Sequence, residues 1–470
     1  MLRKTKIIAT LGPATDSLEI LQELILAGTN VFRLNMSHAP AEWCRTVTLR
    51  VREAARVVDR DAGVLMDMRG PTIRTGDVPI AYTLKPGDSV EFTLSGAEAT
   101  LAISTTVNYP GLHADLRPGD TVLVDNGILQ MRVVSTSPER VICTVLNLGV
   151  LGSRRHINLP GIKVNLPPLT EKDYDDMKLA AEIGIDFVAM SFVRDASHLH
   201  LLREELAALG CHARIVAKIE DQQAVRHLDE IIDASDVVMV ARGDLGIEVH
   251  LEELPVLQRK IVSKCVNKGR AVIVATHMLE SMIQNPVPTR AEVTDVANAV
   301  FEEADAIMLS GETSSGAWPV RCVEVMNQIA LRVEAASTHA ENPSRHAVMD
   351  NDKQRIVKHA VSLADCLEGA AIVVFTARGV LARYAAWFRP AVAPIFAFTP
   401  SGTVARGLNL CRAVHPYILD FNPGQPHETI ASAVSFLKAH QHVEAGQTLV
   451  IISDVLQGEF TVDSILVQRA

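Results

Sequence analysis

The feature that most constrains this chain is a rhythm of short apolar runs separated by helical segments. The runs are rich in Val, Ile and Ala and nearly continuous, which is typical of parallel strands buried on both faces. Eight such runs are present, at Lys6–Leu11, Val31–Ser37, Val64–Met68, Phe187–Phe192, Arg214–Glu220, Val237–Arg242, Ala271–Thr276 and Ala306–Ser310. Helix-period segments lie between them, for example at Ser17–Ala27, Glu42–Arg60, Glu171–Ile183 and Leu254–Lys268. Eight strands with helical connections predict an α/β fold built on a (β/α)8 TIM barrel rather than an open sheet.

Two stretches break this rhythm and predict further domains. More than a hundred residues separate Met68 from Phe187, and they contain Pro-Gly-Asp turns followed by the β-branched runs Val90–Leu94 and Val122–Val124. Such short strands predict a small β-barrel inserted after strand three. After residue 345, the predicted strands Ile372–Thr376, Ile395–Thr399, Tyr417–Asp420 and Leu449–Ser453 alternate with helical stretches. The predicted division is barrel at 1–69 and 169–343, inserted domain at 70–168, and C-terminal α/β domain at 344–470.

Composition excludes several classes of protein. A net charge of −10 and an aromatic content of 4% disfavour a nucleic-acid partner. No run of about 18 uncharged apolar residues is present, which argues against a membrane-spanning helix. The apolar stretch Ile7–Leu11 is too short for a secretory signal. Seven scattered cysteines without a Cys-x-x-Cys pair indicate reduced thiols and a cytoplasmic location, and they disfavour a zinc site.

Polar residues concentrate at the carboxyl ends of the predicted barrel strands, where TIM barrels place their active sites. These ends read Arg33-Leu34-Asn35-Met36-Ser37-His38, Asp67, Lys218-Ile219-Glu220, Arg242-Gly243-Asp244, Thr276-His277 and Ser310-Gly311-Glu312-Thr313. With a side-chain period of two, Arg33, Asn35 and Ser37 are expected to share one face of strand two. A single site explains this pattern better than a separate accident at each strand end.

Lys218, Glu220 and Asp244 are the strongest candidates for chemistry. Lys218 and Glu220 are two residues apart and project to the same side of strand five. Alone they could be a structural ion pair. With Asp244 on the next strand, however, two carboxylates could share a divalent cation of the Mg²⁺ type, with substrate and water completing the shell. Lys218 would then face the negative charge that develops beside the metal.

The other candidates have ordinary structural alternatives. The Gly243–Gly246 turn could bind an anion through its backbone N–H groups or be only a tight turn. Arg33 and Arg74 suit phosphate oxygens but equally suit surface ion pairs. Asn35, Ser37 and Asp67 offer oxygen ligands for a monovalent cation, or hydrogen bonds that close the strand ends.

Several ordered motifs resemble those of the pyruvate kinase family, and together they cover essentially the whole chain. The motifs are Arg33–His38, Asp67–Arg74, Ala217–Glu220, Met239–Gly246, Ala275–Met282, Pro288–Ala299 and Leu309–Thr313. The resemblance implies transfer of the phosphoryl group of phosphoenolpyruvate to ADP, giving pyruvate and ATP, as the last step of glycolysis. It also implies that the inserted domain is a lid and that the chain forms a homotetramer through barrel and C-terminal contacts.

The resemblance assigns roles to individual residues. Glu220 and Asp244 would bind Mg²⁺ or Mn²⁺, Lys218 would stabilise the phosphoryl and enolate charge, and Arg33 would hold the phosphoryl group. The backbone of Gly243 and Asp244 would seat the substrate carboxylate with Thr276, which also lies where the enolate is protonated. The implied ligands of K⁺ are Asn35, Ser37, Asp67 and the Met68 carbonyl. The implied nucleotide contacts are Asn35, Ser37, His38, Arg74 and Arg155.

The sequence also departs from the family pattern. Thr72 stands where potassium-dependent members usually carry Glu and potassium-independent ones often carry Lys, so the requirement for K⁺ is open. His277 replaces a usual Gln and could alter the pH profile or be purely structural. The effector loops read Thr376–Leu381 and Phe460–Asp463 and lack most of the expected hydroxyls. Fructose 1,6-bisphosphate is therefore not expected to be a strong activator, although Arg378 could hold another phosphorylated effector or simply be solvated.

Two other functions compete with phosphoryl transfer. A Mg²⁺-dependent carbon–carbon lyase could use paired carboxylates and an Arg near a keto acid, but it has no use for the lid or for Arg74. A regulatory pseudokinase would be marked by loss of Lys218, Glu220 or Asp244, and all of these are present.

Overall fold

Eight parallel strands close into a barrel in the computed structural model. The model describes residues 2–94, 96–336, 348–422, 424–457 and 460–470, with the backbone alone at 454–457 and 460–462. The barrel strands are β1 (Lys6–Thr10), β2 (Val31–Asn35), β3 (Gly63–Asp67), β13 (Phe187–Met190), β14 (Arg214–Ile219), β15 (Val237–Ala241), β16 (Ala271–Ala275) and β17 (Ala306–Leu309). All eight predicted barrel strands are confirmed, and each ends one or two residues sooner than the apolar run suggested.

Helices cover the outside of the barrel and bury their apolar faces against the strands. They are α1 (Leu18–Ala27), α2 (Ala41–Val57), α4 (Glu171–Ile183), α5 (Ala196–Ala208), α6 (Gln222–Arg226), α7 (Leu228–Ala234), α8 (Arg242–Glu248), α9 (Leu254–Asn267), α10 (Arg290–Phe301), α11 (Gly311–Ser314) and α12 (Pro319–Ala336). Side-chain caps fix the starts of several of them, as where Thr170 and Asp173 form a capping box at α4. None of the helices described is long and apolar enough to cross a membrane.

The inserted segment forms a separate sheet domain with its own core, as predicted, and its strands lie in a seven-stranded sheet and a two-stranded sheet. Its strands are β4 (Ile73–Arg74), β5 (Tyr82–Leu84), β6 (Ser89–Thr93), β7 (Ser104–Thr106), β8 (Thr121–Val124), β9 (Leu129–Ser137), β10 (Arg140–Val145), β11 (Gly149–Leu151) and β12 (His156–Asn158), with one short helix, α3 (Leu112–Asp115). The seven-stranded sheet has the strand order β4-β12-β8-β9-β10-β6-β7. The strands of this sheet that come first and last in the sequence, β4 and β12, pair with each other. Both connections to the barrel therefore leave from the same edge.

The C-terminal α/β domain is built on a five-stranded sheet of order β20-β19-β18-β21-β22. Its elements are α13 (Asp352–Cys366), β18 (Ala371–Phe375), α14 (Val380–Trp387), β19 (Ile395–Thr399), α15 (Gly402–Gly407), β20 (Val414–Ile418), α16 (Pro426–Ala439), β21 (Thr448–Gln457) and β22 (Phe460–Arg469). The predicted domain boundary at 343/344 lies outside the described residues.

One predicted strand in this domain is misplaced, and one strand was not predicted. The strand predicted at Tyr417–Asp420 lies at Val414–Ile418 and includes Pro416. Proline lacks an N–H for the ladder but is tolerated on an edge strand, and β20 is at the edge of the sheet. The antiparallel partner β22, which pairs with β21 along its whole length, was not predicted as a strand at all.

The C-terminal domain covers the amino-terminal end of the barrel through buried charges. Both oxygens of Asp305, just before β17, accept from the Arg389 guanidinium at 2.9 and 2.7 Å. The same carboxylate accepts from the Arg412 and Val272 backbone N–H groups at 3.1 Å each. Nearby, the fully buried Lys6 ammonium of β1 donates to the Val414 carbonyl. The two domains therefore share one desolvated polar interface.

We expect Arg389→Met to lower the unfolding temperature sharply. The substitution leaves Asp305 buried without its counter-charge, a loss on the order of 3–5 kcal/mol. Scanning calorimetry of wild type and variant measures the change. Arg56→Met is the control, because Arg56 is exposed and pairs with the exposed Glu53 one turn away on α2. Equal melting temperatures for Arg389→Met and the control would contradict this account of the interface.

Candidate active site

The carboxyl end of the barrel is organised around Asp67, the last residue of β3. Its Oδ2 lies 2.7 Å from Arg33 Nε on β2, and its Oδ1 lies 3.2 Å from Lys218 Nζ on β14. Arg33 Nη1 also donates to Thr10 Oγ1 at 3.1 Å. Burial opposes ionisation of Asp67, but Lys218 and Arg33 outweigh it and hold the pKa of the carboxyl below its ordinary value. One carboxylate thus aligns two cations at the mouth of the barrel.

Lys218 is buried and contacts several acceptors. Its Nζ lies 2.7 Å from Glu220 Oε1 and donates to Ser191 Oγ at 2.7 Å. Burial favours the neutral amine, but Asp67, Glu220 and Asp244 outweigh it and raise the pKa of Lys218 above its ordinary value. The side chain is therefore a permanent cation near neutral pH. The expectation that Lys218 and Glu220 share one side of their strand is confirmed.

Glu220 and Asp244 suit a divalent cation. Burial raises the pKa of Glu220 to about 7, in spite of the Lys218 ammonium. Its Oε1 is buried and makes a charge contact with Lys218 but no aligned hydrogen bond with any described residue. The Asp244 charge acts on both Glu220 and Lys218. In the described part of the chain no cluster of three or more His, Cys, Asp or Glu side chains could hold a metal, so this site would rely on two carboxylates with substrate and water, as Mg²⁺ commonly does.

Thr276 and Gly243 meet directly at the ends of β16 and β15. Thr276 has a left-handed backbone (φ 67°), and its Oγ1 accepts from Gly243 N–H at 2.8 Å. Arg242 is buried and donates to the Thr276 carbonyl and, at 2.7 Å, to Asp295. As predicted, residues 243–246 lie in a short helix that follows the strand, α8. The structure therefore brings together the turn and the threonine to which the family resemblance assigns the substrate carboxylate.

The candidate potassium ligands are only partly assembled by strand geometry. Asn35 pairs in register with Asp67, and the Met68 carbonyl accepts from Ser191 Oγ at 2.8 Å. Ser37 does not continue the face of Arg33 and Asn35, because β2 ends at Asn35 and Ser37 lies exposed in the following turn. That turn is held by a bond from Ser37 N–H to Asn35 Oδ1 (3.2 Å).

The candidate nucleotide residues differ in their surroundings. Arg74, on β4, is half-buried near Asp244 and Arg69, and burial together with Arg69 lowers its pKa. His38 is exposed in the turn after β2. Arg155 pairs with Asp125 at 3.2 Å, so its contacts are within the inserted domain rather than with the barrel.

The residues that depart from the family pattern make the following contacts. Thr72 Oγ1 accepts from Arg69 at 3.4 Å, and His277 lies 3.6 Å from Glu280. In the first effector loop, Thr376 is buried and its N–H donates to Phe398 O (3.0 Å), while the Arg378 carbonyl accepts from Arg383. The side chains of Phe460–Val462 in the second loop lie outside the described residues.

Sequence reasoning missed Ser191, which touches the candidate lysine. The apolar run was predicted to continue through Phe192, so the serine was counted as part of a strand interior. The strand ends at Met190, and Ser191 is the first residue beyond it. At the other strand ends, polar residues were assigned to the site. The same rule would have identified Ser191.

Comparison with known proteins decides the family. Residues 2–323 match the family described as "Pyruvate kinase, barrel domain", and residues 354–468 match "Pyruvate kinase, alpha/beta domain". The chain belongs to the pyruvate kinase family. It is therefore an enzyme of the phosphotransferase class, and its family works with a divalent metal.

Named relatives align over nearly the whole chain. Plastidial pyruvate kinase 2 of Arabidopsis thaliana is 40% identical over 458 residues, covering 97% of this chain and 78% of the relative. The pyruvate kinase of Geobacillus stearothermophilus is 41% identical over 474 residues, covering 98% and 79%. That of Clostridium acetobutylicum is 37% identical over 464 residues, covering 97% and 96%. The resemblance drawn from motifs is confirmed.

We expect Asp67→Asn to destabilise the enzyme, although it removes a buried negative charge. Arg33 and Lys218 would lose a shared partner and face each other with less compensation, at a cost of several kcal/mol, about the scale of breaking a buried pair. Thermal unfolding of the purified variant measures the effect. Asp77→Asn is the matched control, because Asp77 also pairs with an arginine, Arg154, but both are exposed. An Asp67→Asn variant as stable as this control would contradict the central role of Asp67.

Proposed function

We propose that the enzyme transfers the phosphoryl group of phosphoenolpyruvate to ADP at the barrel mouth, giving pyruvate and ATP. The observation that carries this proposal is the cationic pair Arg33 and Lys218, aligned by Asp67 beside the carboxylates of Glu220 and Asp244. A loose phosphoryl-transfer transition state needs positioning and positive charge more than covalent chemistry. A lyase or a pseudokinase gives no comparable use to this pair and the lid together.

The side chains divide the work as follows. Arg33 holds the phosphoryl oxygens, and Lys218 faces the charge that moves between the phosphoryl group and the enolate. Glu220 and Asp244 would hold Mg²⁺ or Mn²⁺, which when bound would supply positive charge to neutralise the substrate. Thr276, with the backbone of Gly243 and Asp244, seats the carboxylate end. The Thr276 hydroxyl lies where the enolate is protonated, either by this group directly or through a water molecule.

The inserted domain supplies the nucleotide side and excludes water. The Asp244 carboxylate acts on the pKa of Arg74, and this proximity supports a lid edge that lies near the proposed metal-binding carboxylates. Closing the lid keeps the phosphoryl group from hydrolysis. The proposed nucleotide contacts are Asn35, Ser37, His38, Arg74 and Arg155. The proposed K⁺ ligands are Asn35, Ser37, Asp67 and the Met68 carbonyl.

The proposal extends to assembly, regulation and location. A homotetramer would cover the apolar side chains Leu251, Val256 and Phe301, which are 76%, 62% and 58% exposed. Fructose 1,6-bisphosphate is not a strong activator in this proposal, and any phosphorylated effector would bind near Arg378 in the C-terminal domain. The seven free cysteines support a cytoplasmic location. The proposed domain division is lid at 70–168 and C-terminal domain from 344, with barrel on either side of the lid.

We expect Lys218→Met to lower the rate of pyruvate formation from phosphoenolpyruvate and ADP by about 10²–10³-fold, the scale of losing one preorganised charge stabiliser. The assay contains Mg²⁺ and is run with and without K⁺. Lys178→Met is the control, because Lys178 is exposed and pairs with the exposed Asp175 on α4. A dependence of wild type on K⁺ would show that Thr72 does not remove the requirement.

Absence of ADP-dependent pyruvate from folded wild type, at any K⁺ concentration, would overturn the proposed reaction. Pyruvate formed without ADP would favour the lyase. Binding of phosphoenolpyruvate without turnover would favour the pseudokinase.

A further inference from the structure

Ser191 sits between the candidate lysine and the strand that leads into the lid. It is buried, directly after β13. Its Oγ accepts from Lys218 Nζ at 2.7 Å and donates to the Met68 carbonyl at 2.8 Å. It therefore links β14 to the end of β3 through one hydroxyl.

The protons on these groups fix the direction of both hydrogen bonds. A protonated lysine has donors and no acceptor, so Ser191 Oγ must accept from it. The hydroxyl has a single proton, and the Met68 carbonyl can only accept. That proton is therefore committed to Met68, and the oxygen lone pairs are directed at Lys218.

Ser191 differs from the other partners of Lys218 because it is neutral. Asp67 and Glu220 carry negative charge, and each cancels part of the positive charge that the lysine would offer to a substrate. Glu220 is also a proposed metal ligand, so its contact with Lys218 weakens when it serves the metal. A hydroxyl orients the ammonium without neutralising it.

The position of Ser191 is itself fixed by close packing. A Cβ atom added to Gly70 would lie only 3.0 Å from Ser191 Cβ and 3.2 Å from its carbonyl oxygen, so the chain leaving β3 runs directly against it. The next residue, Phe192, donates its backbone N–H to Glu220 Oε2 at 2.6 Å. The turn after β13 thus holds both Lys218 and Glu220.

We infer that Ser191 is a positioning residue for phosphoryl transfer, which acts by holding the Lys218 ammonium in its reactive place. The inference rests on the proposed role of Lys218. Ser191→Ala should lower kcat about 10- to 100-fold, the effect of losing one hydrogen bond to a charged group. The KM for phosphoenolpyruvate should change by less than about threefold, because substrate is held mainly by other groups.

A double-mutant cycle with Lys218→Met tests whether Ser191 acts through the lysine. In the Lys218→Met background, Ser191→Ala should lower the residual kcat by less than about twofold. An equal loss in both backgrounds would overturn the inference while leaving the proposed function intact. Wild-type activity in Lys218→Met alone would instead overturn the proposed function.

Matched variants at position 191 separate the effect of losing the hydroxyl from the effect of a change in stability. Ser191→Thr keeps the hydroxyl and Ser191→Val replaces it with a methyl group of similar size, so both share any packing penalty. Thr should retain at least about tenfold more kcat than Val, matching one charge-assisted hydrogen bond. Equal activities would overturn the inference even if Ser191→Ala fails to fold. Ser235→Ala is the control, because Ser235 is also buried and bonded to a carbonyl, that of Ile232, but outside the site.

Discussion

The site depends on one carboxylate placed between two cations. Asp67 ends β3 and binds Arg33 from β2 and Lys218 from β14, strands that do not neighbour each other in the barrel. An arginine and a lysine would repel if brought together in a desolvated space, and Asp67 makes their proximity favourable. The chain has a net charge of −10, so an anionic substrate needs a local region of positive charge. Arg33 and Lys218, held by Asp67, provide that region.

The same strand end is where the chain leaves the barrel for the lid, and the return path is also anchored. Arg194, after β13, donates to the carbonyls of Val164 and Leu166 on the returning segment. Asn158 of β12 donates to Glu248 at the end of α8, 3.2 Å away. The inserted domain is therefore tied to the turn after β13, which carries Ser191, and to α8, which carries Asp244. A movement of the inserted domain would act on both of these segments.

Much of this arrangement could be predicted because a parallel barrel brings its strand ends to one rim. The pairing of Lys218 with Glu220, and the approach of Thr276 to Gly243, both follow from strand position alone. The errors arose at the ends of strands: Ser37 lies beyond the end of β2, Ser191 was counted as part of an apolar run, and β20 begins and ends earlier than predicted. Asp67 as the shared partner of Arg33 and Lys218 depends on side-chain reach between strands, which spacing does not encode.

The buried polar interface beneath the barrel has a consequence for how such enzymes can be recombined. Lys6 has its pKa lowered to about 7 by burial, and its ammonium relies on the Val414 carbonyl, while Asp305 relies on Arg389. A chimaera that joined this barrel to the C-terminal domain of a relative would have to bring a matching carbonyl and a matching arginine. The two domains are separate in topology, yet they can be exchanged only as an electrostatically matched set.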